Sequence, residues 1–171
     1  MTSRSTTLNK QSGVMLLEAL ISILIFSMGI LAIVGLQAAA ISNVSDAKYR
    51  TDASLLANRL VAQMWASDRT QATLQASFTG INGIGGNGYS AWLNNDLQCQ
   101  VVGQPALPAS SVPALPGVCN VVANLPIVAV TPVTATATPS SVVTVTVFWQ
   151  APGAASGAAA HEYTTVAQIV Q

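Results

Sequence analysis

The first third of the chain carries one long apolar run. From Ala19 to Ser45 there are 27 residues without a charged side chain. A helix of about 20 apolar residues spans a bilayer, whereas the apolar part of a secretory signal has only about 7–15 residues. The length of the run therefore predicts a membrane anchor.

Beyond this run the apolar residues recur with helical spacing. They follow the i, i+3, i+4, i+7 pattern of one helix face, and no proline occurs before Pro105. We therefore predict one continuous helix from about Val14 to Arg69, roughly 80 Å long. The residues of its predicted buried face are Ala53, Leu56, Ala57, Leu60 and Met64.

Two glycines interrupt the apolar half of this helix. Gly29 and Gly35 each cost about 1 kcal/mol relative to alanine, so the helix is weakest between them. We expect it to loosen there once it leaves the membrane. Inside a bilayer it should stay intact, because unpaired backbone groups are too costly in lipid.

The middle of the chain is rich in glycine. The density of glycine in Thr70–Leu97 predicts a long surface loop, with one short helix at Tyr89–Leu93. The pattern Gly83-Ile-Gly-Gly-Asn-Gly88 formally matches a dinucleotide-binding loop. No strand pattern precedes it and no acid follows between Asp96 and Glu162, which favours a plain loop.

From Gln98 onward the sequence favours strands. The runs are β-branched and in part alternating, and most prolines fall between them. The segment Pro152–Ala160 is predicted to connect the last two strands as a hairpin. The result is an α+β fold, with a small antiparallel sheet on the apolar face of the helix. The candidate strands are Cys99–Val102, Val118–Val122, Pro126–Val130, Val142–Trp149 and Glu162–Val170.

The composition argues against two classes of function, which are nucleic-acid binding and acid–base catalysis. Charged residues make up 7% of the chain, against a usual value of about 25%, and six basic residues balance six acidic ones. We expect no nucleic-acid partner, since no basic patch is available. So few ionisable groups also make an acid–base site improbable, and we expect neither an enzyme nor a cofactor.

Three side chains are candidates for disulfide or catalytic chemistry. Cys99 and Cys119 lie twenty positions apart, and with one histidine they cannot supply the usual four ligands of a structural zinc site without carboxylates. A disulfide is the simplest interpretation, and two buried free thiols are the alternative. His161 has no evident catalytic partner, so a hydrogen-bonded or exposed strand histidine is favoured.

Glu18 is the anomaly of the anchor. A carboxylate at mid-bilayer costs about 2.5–3.5 kcal/mol, less near the surface. Such a residue needs a partner and is a functional candidate, the alternative being a shallow acid that reaches the interface.

The residues around Glu18 carry a family resemblance. Ser12-Gly-Val-Met-Leu-Leu-Glu18 resembles the processing site of type IV prepilins, in which a short basic leader and a glycine precede an apolar helix with glutamate at its fifth residue. The following apolar segment is similar to minor pilins of the PilV type. Val145-Thr-Val-Phe-Trp149 and His161-Glu-Tyr-Thr-Thr resemble the same subfamily more loosely.

The resemblance implies a role. A prepilin peptidase would cut after Gly13 and methylate the new amine of Val14. Glu18 would then pair with the N-terminal amine of a neighbouring subunit in a filament. The implied partners are the prepilin peptidase, other minor pilins, the major pilin, the inner-membrane assembly platform and the membrane itself. The implied function is a minor pilin that takes part in type IV pilus assembly and initiation.

The same resemblance implies a domain organisation. Residues 1–13 would be the leader, 14–45 the transmembrane and filament-core half of the helix, and 46–171 the periplasmic pilin domain. The protein would cross the inner membrane once before it joins the pilus. Val14 at the first mature position, and Gly35 where major pilins often have proline, favour a minor subunit. A type II secretion pseudopilin and a membrane-tethered periplasmic adhesion or binding module remain alternatives.

Overall fold

A computed structural model describes residues 12–134, 138–155 and 157–171. The chain divides into two compact units, which are Met1–Val44 and Ser45–Gln171. The first helix, α1, covers Ser12–Ala66, which is 55 residues. The predicted continuous helix is therefore confirmed. Of the predicted leader, residues 1–11 lie outside the described part of the chain.

The α1 segment within the first unit is exposed along its whole length. Every side chain from Val14 to Val44 is exposed, and the exposed fraction of the large apolar ones runs from 45% at Ile30 to 73% at Met15. By length and composition, this helix is apolar enough to cross a membrane. It continues through both of its glycines, so the loosening expected outside a bilayer stays a prediction.

The second unit is built from short helices and one antiparallel sheet. The sheet has five strands in the order β2-β1-β3-β4-β5, and every pairing is antiparallel. Its elements after α1 are α2 (Gln71–Phe78), β1 (Gly80–Ile81), β2 (Ile84–Gly85), α3 (Asn87–Asn95), a 3₁₀ turn (Val122–Asn124), β3 (Ile127–Val133), β4 (Ser140–Trp149) and β5 (His161–Val170).

One hydrophobic core joins α1 to the sheet. All five residues of the predicted helix face are buried, with 9% of Leu56 exposed and none of the other four. They share a cluster with Val143, Val145 and Val147, which alternate along the inner face of β4. The α+β architecture and the strands Pro126–Val130, Val142–Trp149 and Glu162–Val170 are thus confirmed, together with the hairpin connection before β5.

The prediction of a long surface loop at Thr70–Leu97 is wrong. The segment forms α2, the hairpin of β1 and β2, and α3, which extends the short helix predicted at Tyr89–Leu93. Asn82 and Gly83 form the hairpin turn with φ angles of 54° and 79°. Two such positive angles favour Asn-Gly, which is a strong hairpin signal when apolar residues flank it.

The glycines of this segment allow close packing. A Cβ at Gly80 would meet the Tyr89 ring, one at Gly88 would meet the Phe78 ring, and one at Gly86 would meet the carbonyl of Ala76. The density of glycine therefore reflects near contact between α2, the hairpin and α3, which any side chain would prevent.

Two further strand predictions are wrong. Cys99–Val102 forms no strand, and Val118–Val122 lies in turns that lead into the 3₁₀ turn. Their buried residues still join the core, since Val118 is 0% exposed. The surrounding segment is irregular and rich in proline, so its backbone bonds are isolated ones, such as Ala114 N–H to the Leu97 carbonyl at 3.0 Å.

Pro132 lies inside β3 and not between strands, contrary to the sequence prediction. It pairs with Ser141. Hydrogen-bonded and open pairs alternate along an antiparallel ladder. The Gln171 N–H donates to the Pro139 carbonyl at 3.2 Å, so residues 139 and 171 form a hydrogen-bonded pair. By alternation, the odd-numbered residues of β4 form their backbone hydrogen bonds with β5, and the even-numbered residues form theirs with β3. Pro132 therefore occupies an open pair with β4, so its missing N–H costs no ladder bond.

Tyr89 links α3 to the strand region through its hydroxyl. The side chain is 0% exposed, its O–H donates to the Pro126 carbonyl at 2.7 Å, and it accepts the Gly83 N–H at 3.3 Å. Burial raises the pKa of Tyr89 to about 12, so the phenol stays neutral and keeps its proton for the carbonyl.

Tyr89→Phe should lower the free energy of unfolding by about 1–3 kcal/mol, because a buried carbonyl loses its donor. Chemical denaturation of the detergent-solubilised full chain, followed by near-UV circular dichroism, measures this. Tyr163→Phe, at a half-buried strand position, is the matched control and should change little. Equal losses in the two variants would contradict the assignment.

Candidate functional site on the exposed apolar helix

Glu18 is the one charged side chain of α1 between Val14 and Val44. It is exposed, and no ion pair forms at Glu18 within the described residues. In a helix, residues four apart lie on the same face, so Glu18 lies one turn above Val14. The site therefore consists of one carboxylate on an apolar helical surface, close to the position of the predicted new N-terminus.

The predicted cleavage point lies within α1 as the structure describes it. The described helix covers Ser12–Ala66, so the bond between Gly13 and Val14 belongs to its helical backbone, four positions before Glu18.

One polar side chain in the apolar half of α1 finds its partner within the helix itself. The hydroxyl of Ser27 donates to the carbonyl of Ile23 at 2.7 Å, which is the back-bonding available to serine in helices. Glu18 has no comparable internal partner among the described residues.

A Cβ placed at Gly29 or Gly35 would meet no atom of the described residues within 4 Å. Packing among the described residues therefore does not explain why these two positions lack a side chain. In membrane proteins small residues at such positions let a second helix approach closely.

The predicted disulfide is present between Cys99 and Cys119, with their Cα atoms 5.3 Å apart. It borders a cleft of about 600 Å³ that also touches the β1–β2 turn. Of the described residues that line this cleft, none is an acid, a base or a free thiol; they include Asn82, Ser90 and Gln100. This described lining offers shape and hydrogen bonds to a ligand.

His161 begins β5 and is half exposed. Its Nδ1 lies 3.1 Å from Oδ1 of Asp46 in α1, and its ring stacks on Trp149 with centroids 5.6 Å apart. The indole N–H of Trp149 donates to the same carboxylate oxygen at 3.3 Å. No hydroxyl or thiol hydrogen-bonds the imidazole in the described ranges, so the cluster fixes α1 to the end of the sheet without a nucleophile.

A second polar link was not predicted. Asp96, at the end of α3, accepts from Arg59 at 2.7 Å and from Gln63 at 3.1 Å. The indole of Trp92 donates to the Leu56 carbonyl at 3.2 Å. These partners lie more than thirty positions apart in the chain, and no local sequence signal joins them. Together they hold α3 against α1, and they are structural contacts.

The glycine motif Gly83–Gly88 follows the strand β1, contains β2 and runs into the first turn of α3, although the sequence showed no strand pattern before it. Both strands are two residues long and pair antiparallel as a hairpin, so no parallel β-α-β unit forms around the motif. Its glycines are explained by the close contacts with α2 and Tyr89. No group of three metal-ligating side chains occurs among the described residues either.

The residues that sequence reasoning singled out therefore fall into separate places. Gly13, Val14 and Glu18 lie together on α1, while the disulfide and His161 belong to the second unit. The chain matches no protein-family model, no curated protein and no solved structure.

Proposed function

We propose that this chain is a minor pilin-like subunit, held in the inner membrane by α1 and later incorporated into a type IV pilus. One observation carries the proposal. A single carboxylate, Glu18, interrupts an otherwise uncharged helical surface that is exposed from Val14 to Val44, and it lies four positions after Val14. We propose a structural role for the chain and no enzymatic one.

The exposed apolar surface must be buried against lipid or against another protein surface. Large contiguous apolar patches are rare on monomeric soluble proteins and mark membrane or protein contacts. Before assembly the bilayer covers the helix, since its length suffices to span the hydrocarbon core. In a filament the same surface would pack against the helices of neighbouring subunits, and Gly29 and Gly35 leave room for close approach.

The charge of Glu18 would fix the offset between neighbouring subunits. Cleavage before Val14 creates a cationic amine at the positive end of the helix dipole, where a cation is unfavourable. A carboxylate from the neighbouring subunit neutralises the amine, and the amine neutralises the carboxylate. In an apolar filament core neither charge is stable alone, so the pair selects a defined offset between subunits.

The second unit would face the periplasm. A disulfide persists in an oxidising compartment, and Cys99–Cys119 lies in this unit. We propose that the leader stays on the cytoplasmic side until the prepilin peptidase removes it. The subunit then meets the major pilin, the other minor pilins and the inner-membrane assembly platform.

Sheared and purified pili test the proposal. Mass spectrometry should find this chain in the fibres at low abundance relative to the major subunit, and deletion of its gene should lower the number of fibres. Fibres of normal number after deletion would contradict an initiating role. Absence of the chain from the fibres would contradict the filament role, and would favour a tethered module or a secretion pseudopilin.

A further inference from the structure

The last strand, β5, forms one edge of the sheet. The strand order places it beside β4 alone, and all ten of its residues pair with that strand. Along the described ranges of the chain, no strand pairs with its other side. A free edge presents backbone N–H and C=O groups to which another strand can bond.

The register shows which residues present these groups. Because Gln171 donates to Pro139, odd-numbered β5 residues bond to β4 and even-numbered ones direct their N–H and C=O outward. The hydroxyls of Thr146 and Thr164 lie 3.0 Å apart, which fits an open pair, where side chains approach more closely. The residues with outward backbone groups are Glu162, Thr164, Val166, Gln168 and Val170.

This edge lacks the usual protection. Natural sheets block their edges with lysine, proline, bulges or a covering segment. β5 contains no lysine and no proline, and it pairs with β4 over ten residues without a bulge. Val166 is 63% exposed and Val170 38%. Beyond Glu162 the strand carries no charge, so its last eight residues form a neutral edge.

We propose that β5 is a strand-addition site that binds an extended segment of another polypeptide chain. The segment is neutral and β-branched along Thr164–Val170 and carries lysine or arginine beside Glu162. Backbone bonds supply the affinity in such complexes, and alternate side chains supply the selectivity. Cross-strand pairs of β-branched residues and of opposite charges are favourable. The inference holds whether or not the chain enters a fibre.

The charge pattern favours a foreign strand over a second copy of β5. In a parallel pairing of two copies, Glu162 would face Glu162, and like charges directly opposite each other are destabilising. In an antiparallel pairing, Glu162 would face the apolar end of the strand near Val170. Neither arrangement provides a cation, whereas a foreign segment with one basic end does.

Amide exchange followed by nuclear magnetic resonance tests the site on the full chain in detergent micelles. The probe is a short peptide of alternating threonine and valine with lysine at one end. Without it, the amides of Thr165 and Ala167 should be protected, and those of Thr164, Val166 and Gln168 should exchange fast. The peptide should slow the second group by about tenfold or more. The same peptide with glutamate replacing lysine should protect them less.

Three variants sharpen the test. Val166→Pro removes an outward donor without removing a bond to β4, so it should abolish protection of Thr164 and Gln168 by the peptide. Val166→Lys blocks the edge by charge and decides the matter if the proline variant does not fold. Thr144→Lys is the matched control, because Thr144 lies opposite Val166 on β4 and the lysine leaves the edge free. It should respond like the wild type.

Four results would overturn the proposal. The peptide could leave the outward amides unchanged, or protect them equally in the Val166 variants. Loss of protection in Thr144→Lys alone would assign binding to the sheet face. Protection without peptide that increases with protein concentration would assign the edge to a second copy of the chain.

Discussion

Glu18→Ala should remove this chain from assembled fibres while leaving it in the membrane. The substitution takes a charge out of the apolar helix, so insertion becomes easier. The second unit should fold normally, because Glu18 lies in the first unit. In the fibre, a neighbour's amine would be buried without a partner, which costs about 3–5 kcal/mol. Incorporation should therefore fall by more than about 100-fold.

Immunoblots of sheared fibres and of membranes from the same cells measure this partition. Ser27→Ala is the matched control. It also removes a polar group from the exposed helix, but the Ser27 hydroxyl bonds its own backbone. It should enter fibres at the wild-type level. Glu18→Ala protein at wild-type level in fibres would contradict the pairing mechanism and leave the membrane anchor unaffected.

Removal of the disulfide should be the largest change in the stability of the second unit. The bond closes a loop of twenty positions, for which the expected contribution is about 3 kcal/mol. The loop contains four prolines and none of the sheet strands, so little else constrains it. The double variant Cys99→Ala, Cys119→Ala should unfold at a lower denaturant concentration by a corresponding amount.

Wild-type protein treated with a reductant is the control for this variant, and it should be destabilised to a similar extent. Alkylation of unreduced, denatured protein should label neither cysteine. Two labelled thiols, or a midpoint that neither reduction nor substitution changes, would refute the assigned role of the bond.

The parts of the fold that sequence predicted are those with long, regular periodicity. The buried face of α1 repeats with helical spacing around Leu60, and β4 alternates along nine residues, from Ser141 to Trp149. Patterns of this length leave one way to bury their apolar side, so local sequence decides the element.

The parts that sequence missed depend on contacts or on short signals. Asn82-Gly83 between two isoleucines is a sequence signal for a hairpin. The high density of glycine around it led to the prediction of a loop instead. The helix α2 has eight residues and is held by the burial of Leu74 and Phe78. Three valines in Val118–Val122 favour a strand, but the segment contains the disulfide-bonded Cys119 and forms turns that lead into the 3₁₀ turn at Val122.

The candidate functional residues also differ in how far the sequence alone could group them. Gly13, Val14 and Glu18 are close in sequence, so local reasoning alone could group them. The contact of His161 with Asp46 joins residues over a hundred positions apart, and nothing in either segment indicates it.

The N-terminus of the mature chain tests the central claim most directly. Intact-mass measurement and N-terminal peptide sequencing of protein purified from cell membranes would locate it. The pilin-like assignment predicts a chain that begins at Val14 and carries one added methyl group on its amine, and a Gly13→Leu variant that keeps the leader. A mature chain that begins at Met1, or after the alanines at 38–40, would contradict it.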